Sequence, residues 1–381
     1  MTALPAVDRL FLEAAIRFAQ PAIFHTSPNP AVGCLLVRGH RVIGRGRTEP
    51  AGGRHAEIVA LADARSQGES PAGATAYVSL EPCAFYGRTP PCSQALVDAG
   101  VTRVVGALTD PHPRVSGAGY AQLEAAGVQV DRYELAEARD ALQGFVQRLT
   151  LGRPWIRLKV GASLDGRTAM ASGESQWITG TTSRSDVQYW RARACAVLTG
   201  SGTVLADDPA LTVRDRRYAR GDWLRQPLRV VLDRAGRVDA AAQVFADPST
   251  SLWLTTTPVD PSRVVPTVLP VAENTAFLEA VVAELASRGC NEVLVEAGPT
   301  LTGAFLDAGL WDELLLYQAP MLLGADARPL AQLTRRRLAD AVRGTMVDYR
   351  ESGGDLRIRV RRTDSLSETP RRADEQEGEQ R

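Results

Sequence analysis

RHAEIVAL (54–61) followed by LEPCAFYGRTPPC (80–92) is the pair of stretches on which the reading of this chain turns. Four residues carry the chemistry: His55, Glu57, Cys83 and Cys92. One imidazole and two thiolates make three zinc ligands, and a catalytic zinc site takes three protein ligands while keeping a fourth position open. Glu57, two residues past the histidine near a helix start, suits proton transfer rather than metal binding. A closed, structural zinc site would need a fourth ligand. Cys34 is the nearest candidate, although inside an apolar run it also reads as a small buried thiol. Cys195 and Cys290 read as core.

Working outward, Asp8 to Gln20 puts Leu10, Phe11, Ala14, Ala15 and Phe18 on one helical face. CLLVRGHRVIGRG (34–46) reads as two strands around a turn at Gly39 and His40. HAEIVALADAR (55–65) reads as a helix burying Ile58, Val59, Leu61 and Ala62. Strand ATAYVSL, helix SQALVDAG, strand VTRVVGAL, a helix around Gln122 to Ala126 and strand VQV continue the alternation. It predicts a layered α/β domain over 1–150, with helices on both faces of its sheet. LGRP (151–154) has the punctuation of a linker. A second α/β series over 151–362 starts at WIRLKVGASLDG. Its strands are CAVLTG, LRVVLD, SLWLTT, EVLVEAG and ELLLYQAP, with helices SDVQYWRARA and TAFLEAVVAELASRG between them. The polar segment 363–381 lacks apolar anchors and is expected to be disordered.

At 381 residues and 44% hydrophobic content, the chain can bury two cores. Basic and acidic residues balance at 44 each, which argues against nucleic acid or a membrane surface as partner. No apolar run is long enough to span a bilayer, and MTALPAVDRLFLEAA lacks a basic-then-apolar signal pattern. Five cysteines, two already assigned to metal, make a disulfide framework unexpected. The expectation is a cytoplasmic homo-oligomer acting on a small molecule. Among the basic residues only Lys159 is a lysine, and a compact ammonium is not interchangeable with a planar guanidinium. VLVEAGPTLTGAFLDAG (293–309) reads as strand, glycine turn and helix. Thr300 lies near the N-cap, Gly298 allows close backbone approach, and the first N–H groups face an anion.

His-x-Glu followed by Pro-Cys and a second cysteine is the grouping of zinc deaminases acting on bases. Eight residues separate the two cysteines here rather than two. That long loop, with HTSPNPAVGCLLV, GRTPPC and DPHPRVSGAG, resembles the deaminase half of the bifunctional riboflavin-biosynthesis deaminase–reductase family. LKVGASLDGRTAMASGESQWITG, TVLADDPALTVR and VEAGPTL resemble its reductase half, so the likeness runs from residue 8 to about 362. It implies a cytidine-deaminase-like three-layer α/β/α domain followed by a dihydrofolate-reductase-like α/β domain. It further implies zinc-dependent deamination of 2,5-diamino-6-ribosylamino-4(3H)-pyrimidinone 5-phosphate, then NADPH-dependent reduction of the ribosyl group to ribityl.

Carried over, the family gives zinc on His55, Cys83 and Cys92, Glu57 as proton shuttle, Asn29 on the pyrimidine and Arg88 near the phosphate. Asn29 also reads as a plain turn residue. In the second half it implies Lys159, Ser175, Arg191, Leu211, Arg214 and Glu296 around the substrate. Gly161, Trp177, Thr179, Thr203, Asp207, Gly298 and Thr300 would meet NADPH. Trp177 reads equally as core, and Asp207 or its neighbour Asp208 could simply open a turn. Two positions depart from the family pattern: Phe85 and Thr48 stand where histidines that would contact substrate are common. The rivals are a nucleic-acid-editing deaminase, which calls for a basic, aromatic-lined face, and a non-enzymatic zinc scaffold.

Overall fold

The computed structural model describes residues 4–85, 91–113, 115–256, 258–259, 265–271 and 273–363. The expected tail at 363–381 lies outside them apart from Thr363. Two compact units form: Met1–Pro154 with Arg217–Arg225 and Ala283–Glu292, and Trp155–Arg216 with Gln226–Val282 and Val293–Arg381.

In chain order, the first unit contains α1 (Ala6–Ala19), β1 (Gly33–Arg38), β2 (Arg41–Arg47), α2 (Ala56–Ser66), β3 (Thr75–Val78) and α3 (Cys92–Asp98). β4 (Arg103–Gly106), α4 (Ala118–Ala125), β5 (Gln129–Arg132), α5 (Ala136–Ala141) and α6 (Gln143–Leu151) follow. The strands make one five-stranded sheet in the order β2-β1-β3-β4-β5. Two glycine patterns place helices against opposite faces of it. A Cβ on Gly33 would sit 2.1 Å from the Ala15 carbonyl oxygen of α1. Cys34 pairs with Gly46, whose Cβ would instead meet the Ala56 oxygen of α2 at 2.0 Å. Successive strand residues point to opposite faces, so α1 and α2 sandwich the sheet.

Both helices bury a different stripe from the expected one. In α1, Leu12, Ala15, Ile16 and Ala19 are buried, while Leu10 is 57% exposed. Asp8 explains the rotation: it is buried because its carboxylate accepts from both Arg103 Nη atoms (2.9 and 2.7 Å) and from the Tyr77 hydroxyl (2.7 Å). Its charge is thereby held below the usual carboxylate range, chiefly by the hydrogen bonds from Arg103. In α2 the buried residues are Ala56, Glu57, Ala60, Leu61 and Ala64, with Ile58, Val59 and Ala62 only partly covered. Small residues face the sheet because glycines 44 and 46 of β2 lie directly beneath them.

The second unit contains β6 (Trp155–Ser163), β7 (Arg167–Ala169), α7 (Thr181–Arg193), β8 (Ala196–Gly200), α8 (Ser201–Asp207), β9 (Leu228–Leu232), β10 (Ser251–Thr255) and β11 (Thr267–Val268). Next come α9 (Asn274–Ser287, counted with the first unit from Ala283 on), β12 (Glu292–Glu296, its first residue likewise), α10 (Pro299–Asp307), β13 (Glu313–Ala319), β14 (Arg328–Pro329), β15 (Gly344–Ser352) and β16 (Asp355–Arg362). Nine strands form one sheet in the order β11-β10-β9-β8-β12-β6-β13-β16-β15, and β7 pairs with β14. β8, β9 and β10 run parallel, as do β12 with β8 and β13 with β6. The sheet core holds a charged network: Glu313, fully buried, accepts from Arg157 (2.9 Å) and Arg359 (2.9 Å), both stacked over Trp190. The β15–β16 hairpin was not expected. Gly353 and Gly354, at φ +61° and +93°, make its turn, in the manner of a two-glycine hairpin connection. Among the described residues no helix is long and apolar enough to cross a membrane.

Candidate functional site

His55 is the residue from which α2 starts, so it leaves the helix just where its ring can turn toward the strand–turn–helix that follows β3. Cys83 sits in that turn and Cys92 begins α3. The His55 Nδ1 atom lies 3.6 Å from Cys83 Sγ and 3.3 Å from Cys92 Sγ, and all three donor atoms fall within 4.8 Å of one another. Zinc bonds of about 2.0–2.3 Å in tetrahedral geometry put donor atoms about 3.5–3.8 Å apart, so the three side chains fit that ion. Among the described residues Cys34 does not join the cluster. It is fully buried on β1, where burial pushes its thiol well above the ordinary value, which leaves it the bland core reading.

The two sulfurs share a proton: the Cys83 thiol is pulled down, chiefly by hydrogen bonding from Cys92 and then by His55, while that same pairing and burial push the Cys92 thiol up. Glu57, 3% exposed, is pushed up to about 7, first by burial and then by the neighbouring Cys83 sulfur.

Glu81 was not singled out in the sequence, although it belongs to the Glu-Pro-Cys run. Its buried carboxylate accepts from the backbone N–H groups of Asp110 (3.2 Å), Gly117 (2.9 Å) and Gly119 (2.9 Å). Ser93 Oγ donates to the Cys83 carbonyl at 2.9 Å. Glu81 thereby ties Asp110, Gly117 and Gly119 to the segment that leads into the cysteine turn, and Ser93 ties the start of α3 to that turn. A Cβ at Gly119 would collide with the Pro82 oxygen at 1.8 Å, which accounts for glycine there.

Asn29 lies half-buried in a turn, its N–H donating to the Thr26 carbonyl at 2.8 Å. Arg88 lies outside the described residues. Thr48 is buried, with its Oγ1 accepting from the Val32 N–H at 3.0 Å. Phe85 places its ring 6.5 Å from that of His112.

In the second unit, Lys159 on β6, Arg191 on α7 and Glu296 at the end of β12 come together. Arg191 binds Glu296 through two hydrogen bonds of 2.6 and 3.0 Å, and its Nη1 donates to the Thr212 carbonyl at 3.2 Å. Burial holds the Lys159 ammonium below its ordinary value while Glu296 pulls it back up. Glu296 stays below the usual carboxylate range against its own burial, because Arg191 and then Lys159 and Arg214 surround it. The Arg214 N–H donates to the Gln188 side chain at 2.7 Å, and Leu211, buried, adopts φ +51°.

Of the residues expected at the nucleotide, Gly161 faces Thr179: a Cβ there would sit 3.2 Å from the threonine methyl. Trp177 is 66% exposed, which excludes the core reading, and the Arg184 guanidinium stacks 4.3 Å from its ring centroid. Gly298 is the N-cap of α10, with Thr300 near it as expected, and a Cβ on Gly298 would meet nothing within 4 Å. Its φ of −72° is ordinary, so the space in front of it, not backbone strain, is what glycine provides. Thr300, one position beyond Pro299, donates instead to the Gln332 side chain at 2.8 Å. Thr203 and Asp207 lie on α8, and Asp208 rather than Asp207 takes the left-handed turn, at φ +38°. Ser175 is partly exposed.

A family model described as the cytidine and deoxycytidylate deaminase zinc-binding region matches residues 5–108, and the RibD C-terminal domain matches residues 154–355. The chain is 46% identical over 363 residues to the riboflavin biosynthesis protein RibD of Escherichia coli, covering 92% of this chain and 98% of that protein. It is 43% identical over 364 residues to the protein of the same name from Haemophilus influenzae. Among solved structures, Acinetobacter baumannii RibD (form 2) superposes with a TM-score of 0.86 at 41% identity, covering 94% of this chain and 99% of that one. A Thermotoga maritima diaminohydroxyphosphoribosylaminopyrimidine deaminase/5-amino-6-(5-phosphoribosylamino)uracil reductase superposes at 0.84 with 30% identity, covering 93% and 99%.

Proposed function

The chain belongs to the RibD family of bifunctional riboflavin-biosynthesis deaminase–reductases, and from that premise we propose how its own residues divide the work. It is an enzyme with a zinc-dependent deaminase activity and a reductase activity. His55, Cys83 and Cys92 hold the zinc. When bound, the ion supplies a Lewis acid that brings the pKa of a coordinated water to about 7. Glu57 takes a proton from the attacking water and returns it to the departing amine. Burial pushes its carboxyl up from the ordinary carboxylate range, the direction that a group which must carry a proton requires. Asn29 holds the pyrimidine through an amide that both donates and accepts, and Arg88 serves its phosphate.

NADPH is the reductant, supplying hydride to the ribosyl carbon. The first N–H groups of α10 and the open space at Gly298 suit one of its phosphates. Gly161, Trp177, Thr179, Thr203, Asp207 and Thr300 line its path. Lys159 and Glu296 meet the substrate sugar with Ser175 and Leu211, while Arg191 and Arg214 face its phosphate. The observation that carries the reading is the His55–Cys83–Cys92 donor triangle with buried Glu57 beside it. Metal analysis combined with separate recordings of ammonia release and NADPH absorbance tests it. One zinc per chain with ammonia from the diaminopyrimidine phosphate is expected; zinc without ammonia would leave a scaffold.

A homo-oligomer built on β15 completes the reading. This nine-residue strand forms one edge of the large sheet and exposes Met346 (57%), Val347 (43%) and Tyr349 (66%). An exposed apolar edge strand invites pairing with a second copy. Sedimentation velocity is expected to give an assembly that Val347→Glu shifts toward monomer; a monomeric wild-type chain at micromolar concentration would rule it out.

A further inference from the structure

The first unit holds a concave feature that shares only Thr48 with the candidate site residues named above. It is a cavity of about 280 Å³ walled by Phe24, His25, Arg47, Glu49, Tyr218 and Arg220, with Arg217, Thr48 and Val59 completing the rim. That volume lies at the low end for small-molecule sites.

The charge of its wall is one-sided. Arg47, Arg217, Arg220 and His25 line it together with one acid, Glu49, and that carboxylate is held by Arg54. Arg54 reaches it with its backbone N–H (3.0 Å), its Nε (3.2 Å) and its Nη2 (3.0 Å), and the pair draws Glu49 down to about 2. Arg220 comes no nearer to it than 3.8 Å. The His25 Nδ1 atom is buried and has no hydrogen-bond partner among the described residues. The other half of the wall is flat and apolar. Phe24 and Tyr218 rings lie 4.9 Å apart at 50°, and His25 packs 5.6 Å from Trp223. Guanidinium forks match phosphate oxygens in two-point geometry, and aromatic faces take a flat ring.

We propose that this cavity is a binding site for a phosphorylated heteroaromatic molecule, its phosphate among Arg47, Arg217 and Arg220 and its ring against Phe24 and Tyr218. The site has a built-in route to the metal centre. Its wall runs from Thr48 through Glu49, and the loop that the Glu49–Arg54 clamp closes ends at the zinc-facing His55. Val59, on the rim, is one helical turn beyond that histidine. A phosphorylated ring is the chemistry both of the unit's own pyrimidine substrate and of a free nucleotide. Assignment to the substrate rests on the deaminase reading above; the phosphate site does not.

Calorimetric titration of the full-length, zinc-loaded chain with inorganic phosphate and with adenosine 5′-monophosphate tests the site. Both are expected to bind saturably, the nucleotide more tightly. Arg217→Gln/Arg220→Gln is expected to weaken both by about tenfold or more, since each lost charged hydrogen bond carries such a factor. Tyr218→Ala should weaken the nucleotide alone. Arg65→Gln, on the exposed end of α2, controls for a general loss of positive charge, and circular dichroism checks the fold. Kinetics then separates the sources. A raised KM for ammonia release at unchanged kcat in the double variant assigns the phosphate to the substrate; unaltered kinetics assigns a separate ligand. Failure of both probes to bind at about 10 mM, roughly 2.7 kcal/mol of affinity, or binding that the double variant leaves intact, overturns the proposal. Ammonia release by the wild-type chain in that event would leave the zinc reading standing.

Discussion

Replacing Glu57 with Gln is expected to lower ammonia release by about 10²- to 10⁴-fold, the range a positioned general acid–base group contributes. The amide keeps the size and one acceptor of the carboxylate but cannot take the proton of the attacking water or hand it to the amine. The fold should survive, because Glu57 is not clamped by an ion pair: its carboxyl is pushed up by burial, so a neutral group already suits that place. Zinc content should therefore stay at one per chain, since His55, Cys83 and Cys92 are untouched. NADPH oxidation with the already deaminated intermediate should be unchanged, because Lys159, Arg191 and Glu296 lie in the other unit. Ammonia release within threefold of wild type would remove Glu57 from the chemistry. Parallel loss of both activities would point to a general folding defect.

The metal ligands were legible because they belong to a short motif whose chemistry dictates the residue types: three donors, spaced by one helix start and one long turn. The α/β alternation was equally legible, since apolar runs of strand length recur between helical ones. What periodicity alone misjudged was which side of a helix goes inward. In α2 the bulkier Ile58 and Val59 were expected inside, yet Ala56, Ala60 and Ala64 are, because Gly44 and Gly46 on the preceding strand let the backbones come together, a pairing that helical periodicity alone does not register. In α1 the burial of Asp8 depends on Arg103, nearly a hundred residues away. The β15–β16 hairpin carried its own signal, two glycines before the alternating LRIRVRR, but its arginines masked it as surface. Those arginines are partly buried against Glu313 and Trp190. The cationic cavity had no sequence signature at all, since His25, Arg47 and Arg220 meet only in the folded unit.

Lys159→Met is expected to reduce NADPH oxidation by about 10²- to 10³-fold, the cost of removing one charged donor aimed at a reacting group. Lysine is the one residue this chain's composition does not explain: every other cation is arginine. The structure gives the reason a fork would not serve there. Lys159 stands on a strand whose neighbours are buried, beside a Glu296 already gripped in two-point fashion by Arg191. A second guanidinium would compete for the same carboxylate, whereas a slim ammonium leaves its donors available to the substrate. Lys159→Arg should consequently fail nearly as badly as Lys159→Met, with kcat falling more than KM rises. Stability should change little, because Glu296 keeps the Arg191 pair when the ammonium goes and no carboxylate is left uncompensated. Ammonia release should be unaffected in both variants. An Lys159→Arg enzyme within threefold of wild type would reduce the lone lysine to an accident of composition and leave the sugar to Glu296, Ser175 and Leu211.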